Sequence, residues 1–173
     1  VKTVIPYFKN FVTKISSLKM LSESSEKKVL KLWEGLGYYR RAKNLKKTAK
    51  IIINSYRGNI PKKYENIIKL PGVGEYTANS LSALVHNKQS VPIDGNVKRL
   101  FFRLFFANKN TKNFNKEIKK IVDKFSKCNR NSDLAEALME FGALVCKPQN
   151  PLCNNCIFRN YCKFFKVKNY TFS

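Results

Sequence analysis

Residues 70–85 read LPGVGEYTANSLSALV. Gly72 and Gly74 stand two apart, between stretches of helical spacing at Tyr64–Leu70 and Glu75–Val85. Glycine takes positive φ without steric cost, so the pair lets the backbone turn and point amide N–H groups outward. The N-terminus of the following helix adds partial positive charge, and the two features together suit a phosphate. A tight structural turn accounts for the same Gly-x-Gly equally well. The stretch therefore defines two helices and a sharp turn before it defines a function.

The same punctuated helical pattern extends outward from this turn. Before it, Glu26–Trp33 carries Val29, Leu30 and Trp33 inward until GLGYY breaks the helix. Arg41–Tyr56 follows, with Ala42, Leu45, Ala49 and Ile52 at helical spacing and Gly58 and Pro61 as stops. After the turn, helices are predicted over Asn96–Ala107, Phe114–Lys127 and Ser132–Val145. No alternating strand pattern and no internal repeat is present, so the fold class is all-α, with a loop-rich, cysteine-bearing appendage. At the start, VKTVIPYFKNFVTKI places Val1, Val4, Ile5, Phe8, Phe11, Val12 and Ile15 on one helical face. That helix has no Met and no N-cap, and its apolar stripe is already running. The expectation is that the chain is part of something longer.

Composition limits the partners. A chain of 173 residues suits one domain, or one domain with a small appendage. At 43% hydrophobic residues it is not a disordered chain. No apolar run of about 18 residues indicates a membrane span, and no signal peptide is visible. Lys and Arg number 34 against 11 Asp and Glu, leaving +23 spread along the whole sequence. Such a surface attracts polyanions, nucleic acid first among them. The plain alternative is that Lys and Asn are simply abundant, as in proteins from AT-rich genomes.

Two further stretches carry chemistry. VPIDGNVKRLFFRLF places Asp94 at the mouth of a helix, followed by Gly95 and Asn96; taken singly, Asp94 is an ordinary N-cap. CKPQNPLCNNCIFRNYC packs Cys146, Cys153, Cys156 and Cys162, four of the five cysteines, into 17 residues with six, two and five residues between them. Clustered cysteines in a cytosolic chain mean metal more often than disulfide. Cys153-x-x-Cys156 suggests zinc, although structural zinc sites usually pair two such knuckles. Four thiolates also suit a [4Fe–4S] cube, with one Cys per iron. These residues alone leave both metals open. Cys128 lies outside the set and reads as a small buried hydrophobe, and His86 is given no role.

Taken together, LPGVG, an Asp about 20 residues later and Cys-x6-Cys-x2-Cys-x5-Cys about 50 residues beyond that resemble the iron–sulfur helix–hairpin–helix DNA glycosylases. The resemblance covers essentially the whole chain, and the cysteine spacing is highly specific. Endonuclease III-like members carry a nucleophilic Lys in Gly-x-Lys-Thr-Ala. Here the run is Gly74-Glu75-Tyr76-Thr77-Ala78, with Tyr76 in the Lys slot. DGNVKR, VIPYF and LWEGLGYYRRAKNL are instead similar to the MutY family of adenine DNA glycosylases, which remove adenine mispaired with 8-oxoguanine or guanine. An endonuclease III-like pyrimidine glycosylase and AP lyase, or a non-catalytic DNA-binding remnant, are the alternatives.

The resemblance implies a helix–hairpin–helix glycosylase fold: a helical core over 1–145 with the hairpin at about 64–85, then a cluster loop and tail over 146–173. Cys146, Cys153, Cys156 and Cys162 would hold a [4Fe–4S] cluster. Asp94 would answer positive charge on the sugar, with Asn96 and Tyr76 orienting the site. Gly72, Val73 and Gly74 would grip one DNA backbone, and Tyr38 would enter the duplex as a stacking wedge, with Tyr39, Arg41 and Lys98 also on DNA. Half-buried packing is the alternative for Tyr38 and Tyr39. Lys147, Arg159 and Lys163 suit phosphate contact by the cluster loop rather than redox chemistry on the substrate. The implied partner is duplex DNA carrying a mispaired adenine, with no membrane association and a monomeric state. The family's general acid is a Glu just upstream of VIPYF, a place that Glu34, Glu75 and Glu140 do not match. Residues 1–173 alone are therefore expected to bind DNA and to excise adenine at a negligible rate.

Overall fold

The structure is a computed structural model that describes residues 4–107 and 113–170. Its regular elements are all helical and no strand occurs among the described residues, in line with the all-α pattern. The chain divides into two compact units, one up to Glu75 and one from Tyr76.

The first unit holds α1 (Val4–Lys14), α2 (Leu18–Glu23), α3 (Glu26–Leu32), α4 (Arg40–Tyr56) and α5 (Tyr64–Ile67). Serines start the short helices: Ser17 Oγ accepts the Met20 N–H at 3.1 Å, and Ser25 Oγ accepts the Lys28 N–H at 3.2 Å. Ala42 and Ala49 are fully buried on α4 and let it close on α2 around Ile15, Leu21 and Val29. Phe11 meets Trp33 edge-on at 6.1 Å, tying α1 to the end of α3. The chain leaves α4 through Arg57 and Gly58, both at positive φ, with the Gly58 N–H bonded back to the Ile52 carbonyl. The expected stop at Gly58 therefore holds.

Two expectations need amendment here. Of the apolar stripe on α1, only Phe11 and Ile15 turn inward; Val4, Ile5, Phe8 and Val12 are exposed, Phe8 by 63%. Val1 lies outside the described residues. Leu45 sits at the edge of its stripe and is part-exposed, because α4 buries a narrow alanine face rather than a broad one.

The second unit is built on α7 (Gly95–Phe105), preceded by α6 (Glu75–Leu84) and followed by α8 (Phe114–Phe125), α9 (Asn131–Leu144) and α10 (Lys163–Tyr170). Val97, Leu100, Phe101 and Leu104 form the buried stripe of α7, against Ile118 and Val122 of α8 and Leu138 of α9. Phe101 and Phe105 stack, and Phe125 meets both rings edge-on. α9 approaches α7 very closely: a Cβ on Gly142 would lie 2.7 Å from Asn96 Cβ and 2.9 Å from its backbone. Between α9 and α10 the cysteine segment makes two three-residue 3-10 turns, Cys153–Asn155 and Arg159–Tyr161. It reaches the core through Cys146, Phe158 and Cys162, and α10 packs on α7.

Candidate functional site

Asp94 is held at the start of α7 by both carboxylate oxygens. Its backbone is extended, Oδ1 accepts the Val97 N–H at 2.7 Å, and Oδ2 accepts from Asn96 Nδ2 at 3.0 Å. The N-cap reading of Asp94 is thus correct. The same bonds orient a partly buried carboxylate at the positive end of a helix.

Asn96 is gripped from its other side. Arg99 donates to Asn96 Oδ1 at 2.8 Å, to the Gly142 carbonyl at 2.6 Å and, through Nε, to the Cys146 carbonyl at 2.8 Å. A continuous chain of hydrogen bonds therefore joins the first cysteine's carbonyl, Arg99, Asn96 and Asp94, with Arg99 donating to Cys146 and Asn96, and Asn96 donating to Asp94. Arg103, one turn on, donates to the Lys147 carbonyl at 2.6 Å and the Pro148 carbonyl at 2.9 Å, and stacks over Phe164 at 4.9 Å. Neither arginine was singled out from the sequence. Their i, i+4 spacing on the helix that follows Asp94 was the available signal.

Tyr76 is half-exposed on α6, and its hydroxyl faces Met139 Sδ on α9 at 3.9 Å; no bond joins it to Asp94 or Asn96 among the described residues. Lys98 is partly buried on α7, its N–H bonded to the Asp94 carbonyl at 2.9 Å.

Gly72, Val73, Tyr38, Tyr39 and Arg41 belong to the first unit, as does Gly74. Leu70–Val73 is a β-turn closed by the Val73 N–H on the Leu70 carbonyl at 3.0 Å, with Gly72 at φ +77. Gly74 has ordinary φ and open space where a Cβ would stand, so only one of the two glycines is needed for the turn. Tyr38 is 83% exposed and takes positive φ, a conformation costly for a bulky residue. The half-buried alternative for Tyr38 is therefore wrong: it stands in a bend with Gly35 and Gly37, which also take positive φ, and it packs little of its ring. Arg41 lies over the rings of Trp33 and Tyr38, at 5.5 and 6.0 Å.

All four clustered cysteines are free thiols and line one cavity, together with Leu100, Arg103, Leu104 and Phe164. Burial pushes the Cys156 and Cys162 thiols up; backbone N–H donors oppose it, from Phe158 for Cys156 and from Phe165 and Phe164 for Cys162. Such donors favour a thiolate over a thiol. Among the described residues no three His, Cys, Asp or Glu side chains converge where a single ion would sit. Four thiols lining one cavity form a donor set that can supply one thiolate to each iron of a four-iron cluster. Cys128 is exposed rather than buried, because it falls in the turn between α8 and α9, where its Sγ faces Asn131.

A fold of this architecture, with a glycine hairpin, an Asp-capped helix and a cysteine loop, defines a class. The chain belongs to the family described as HhH-GPD superfamily base excision DNA repair protein, whose sequence model matches residues 1–124. Among its relatives is "Adenine DNA glycosylase" of Buchnera aphidicola subsp. Baizongia pistaciae (strain Bp), 39% identical over 165 residues, covering 95% of this chain and 47% of that protein. The protein of the same name in Rattus norvegicus is 33% identical over 166 residues, covering 94% of this chain and 32% of its own length. The chain thus spans about half, or less, of the length of the curated relatives it matches. A solved thermostable thymine-DNA glycosylase superposes with TM-score 0.80 at 27% identity, covering 95% of this chain and 76% of the other. A non-covalent endonuclease III–DNA complex shares the fold, with TM-score 0.78 at 23% identity over 98% and 78% of the two chains.

Proposed function

We propose that the protein is an adenine DNA glycosylase of base excision repair, acting as a monomer on duplex DNA that carries adenine opposite 8-oxoguanine or guanine. The observation that carries this reading is 39% identity to a protein of that name along 95% of the chain. Tyr76 supports it from the chemistry, since a phenol cannot form the Schiff base that a Lys at the same place would.

The residues then take the following roles. Adenine leaves the base stack, helped by Tyr38, which is 83% exposed with Arg41 over its ring. The hairpin Gly72–Val73–Gly74 holds a phosphate through the Gly72 and Gly74 N–H groups, the Val73 N–H being spent on the Leu70 carbonyl, with Tyr39, Arg41 and Lys98 adding contacts to DNA. As the glycosidic bond breaks, positive charge grows on the sugar and the Asp94 carboxylate answers it. Asn96 keeps Oδ2 of that carboxylate fixed, and Arg99 keeps Asn96 fixed. Cys146, Cys153, Cys156 and Cys162 would hold a [4Fe–4S] cluster. When bound, the cluster supplies four iron–thiolate links across a loop with little regular structure. Lys147, Arg159 and Lys163 of that loop face phosphate.

Substrate choice tests the reading. Single-turnover assays of the chain extended through its upstream segment should release adenine opposite 8-oxoguanine, with no efficient borohydride trapping of a protein–DNA adduct. Trapping on an oxidised-pyrimidine duplex, without adenine release, would assign the protein to the lyase branch instead.

A further inference from the structure

We propose that Thr48 and Asn44 of α4 are positioning residues that set the direction in which the hairpin presents its amide groups; this rests on the reading of Gly72–Gly74 as a phosphate grip. The turn Leu70–Val73 has Pro71 at its second position and Gly72 at φ +77 at its third, the signature of a type II turn. Types I and II share the closing bond and differ by a flip of the central peptide, here Pro71–Gly72. The flip reverses both the Pro71 carbonyl and the Gly72 N–H, because the two point in opposite directions across a trans peptide.

Thr48 decides between the two states. Its Oγ1 donates to the Pro71 carbonyl at 3.0 Å, across 23 residues of sequence. A Thr hydroxyl in mid-helix ordinarily bonds back to its own i−4 carbonyl, and Thr is a poorer helix former than Ala. Neither habit explains this one, which reaches out of the helix to the turn. With the carbonyl drawn onto α4, the Gly72 N–H points away from it. Neither that N–H nor the Gly74 N–H has an acceptor among the described residues. Asn44, one helical turn earlier, supports the turn from the same face. A Cβ on Gly72 would come within 2.7 Å of Asn44 Nδ2 and 2.8 Å of its Cβ, so Asn44 and Gly72 are fitted to each other. The helix thus fixes which way the Gly72 N–H faces, and Gly72 is required by crowding as well as by φ.

The test compares Thr48→Val, which keeps shape and loses the donor, with Thr48→Ser, which keeps the donor. In the full-length protein, affinity for a duplex is measured by fluorescence anisotropy across a salt series, with thermal unfolding in parallel. Thr48→Val should weaken binding about five- to tenfold, the effect of one hydrogen bond. It should also flatten the slope of log K against log salt by about 0.9, one phosphate contact. Thr48→Ser should bind within about twofold of the parent. A role confined to stability would lower the melting temperature and leave the salt slope unchanged. Asn44→Ala gives a second reading and should also flatten the slope. An unchanged slope in both Thr48→Val and Asn44→Ala, or a Thr48→Ser variant as weak as Thr48→Val, overturns the positioning role. Gly72→Val separates that failure from failure of the hairpin reading. If it binds like the parent, the phosphate grip itself is wrong; if it binds poorly while Thr48→Val and Asn44→Ala do not, only the positioning role is lost.

Discussion

Asp94 carries two tasks on one carboxylate, and they reinforce each other. Oδ1 closes the first turn of α7 while Oδ2 accepts from Asn96. Asn96→Ala should leave the cap intact but free Oδ2 and remove an acceptor of Arg99. A misplaced carboxylate costs about 10² in rate, so single-turnover excision should fall by that order while the melting temperature moves little. Arg99→Leu should act differently. It strips the Gly142 carbonyl of its donor and leaves the Cys146 carbonyl only a 3.5 Å bond from Arg103, and a buried acceptor left unpaired costs about 1–3 kcal/mol. Denaturant unfolding should show a large loss of stability, which Arg99→Lys recovers only in part because an ammonium lacks the planar fork. At this scale the sequence displayed the chemistry of Asp94 and hid its supports. Arg99 and Arg103 looked like two more members of a basic chain until the fold turned them onto backbone carbonyls.

The helices with long apolar stripes were legible, and their bounds agree to within a few residues with α3, α4 and α6–α9. The six residues of α2 are too short to display a period, and α10 was hidden because its helical turns follow the cysteine loop directly. The close approach of α9 to α7 was equally invisible, since a single Gly142 within a helix reads as a mild weakness. Gly142→Ala should therefore destabilise the protein by about 1–3 kcal/mol through overcrowding, rather than stabilise it as a Gly-to-Ala change in a free helix would. Thermal or denaturant unfolding gives the sign. The cysteine loop has two three-residue turns and little else of its own to hold it. On the cluster reading, Cys153→Ser should lower iron well below about four per chain and lose solubility together with colour. A purified parent protein that held stoichiometric zinc and no iron would contradict that reading.

Across the whole molecule, 34 Lys and Arg against 11 Asp and Glu leave +23 of net charge, and acidic partners such as those in Lys31–Glu34, Lys43–Glu26 and Arg130–Asp133 can pair only a minority of the basic side chains. All three are exposed and contribute little to stability. The excess of basic over acidic side chains attracts an external polyanion, and duplex affinity should fall steeply with salt, by about 10³ or more between 50 and 200 mM if six or more phosphates are contacted. Titration at several salt concentrations measures the slope directly. The fold class and the positions of the cysteines were legible because each rests on residues close in sequence. The hydrogen-bond chain between Cys146 and Asp94 was not, because it joins residues about 50 positions apart that only packing brings together. The most direct test of the whole account is the single-turnover rate of adenine release opposite 8-oxoguanine, for the full gene product and its Asp94→Asn variant. Asn is as good an N-cap as Asp, so the fold should survive; the rate should fall by about 10²–10³, the usual loss when a group that stabilises transition-state charge is removed. An Asp94→Asn variant that excises adenine as fast as the parent would show that the carboxylate is only a helix cap and that the active site lies elsewhere.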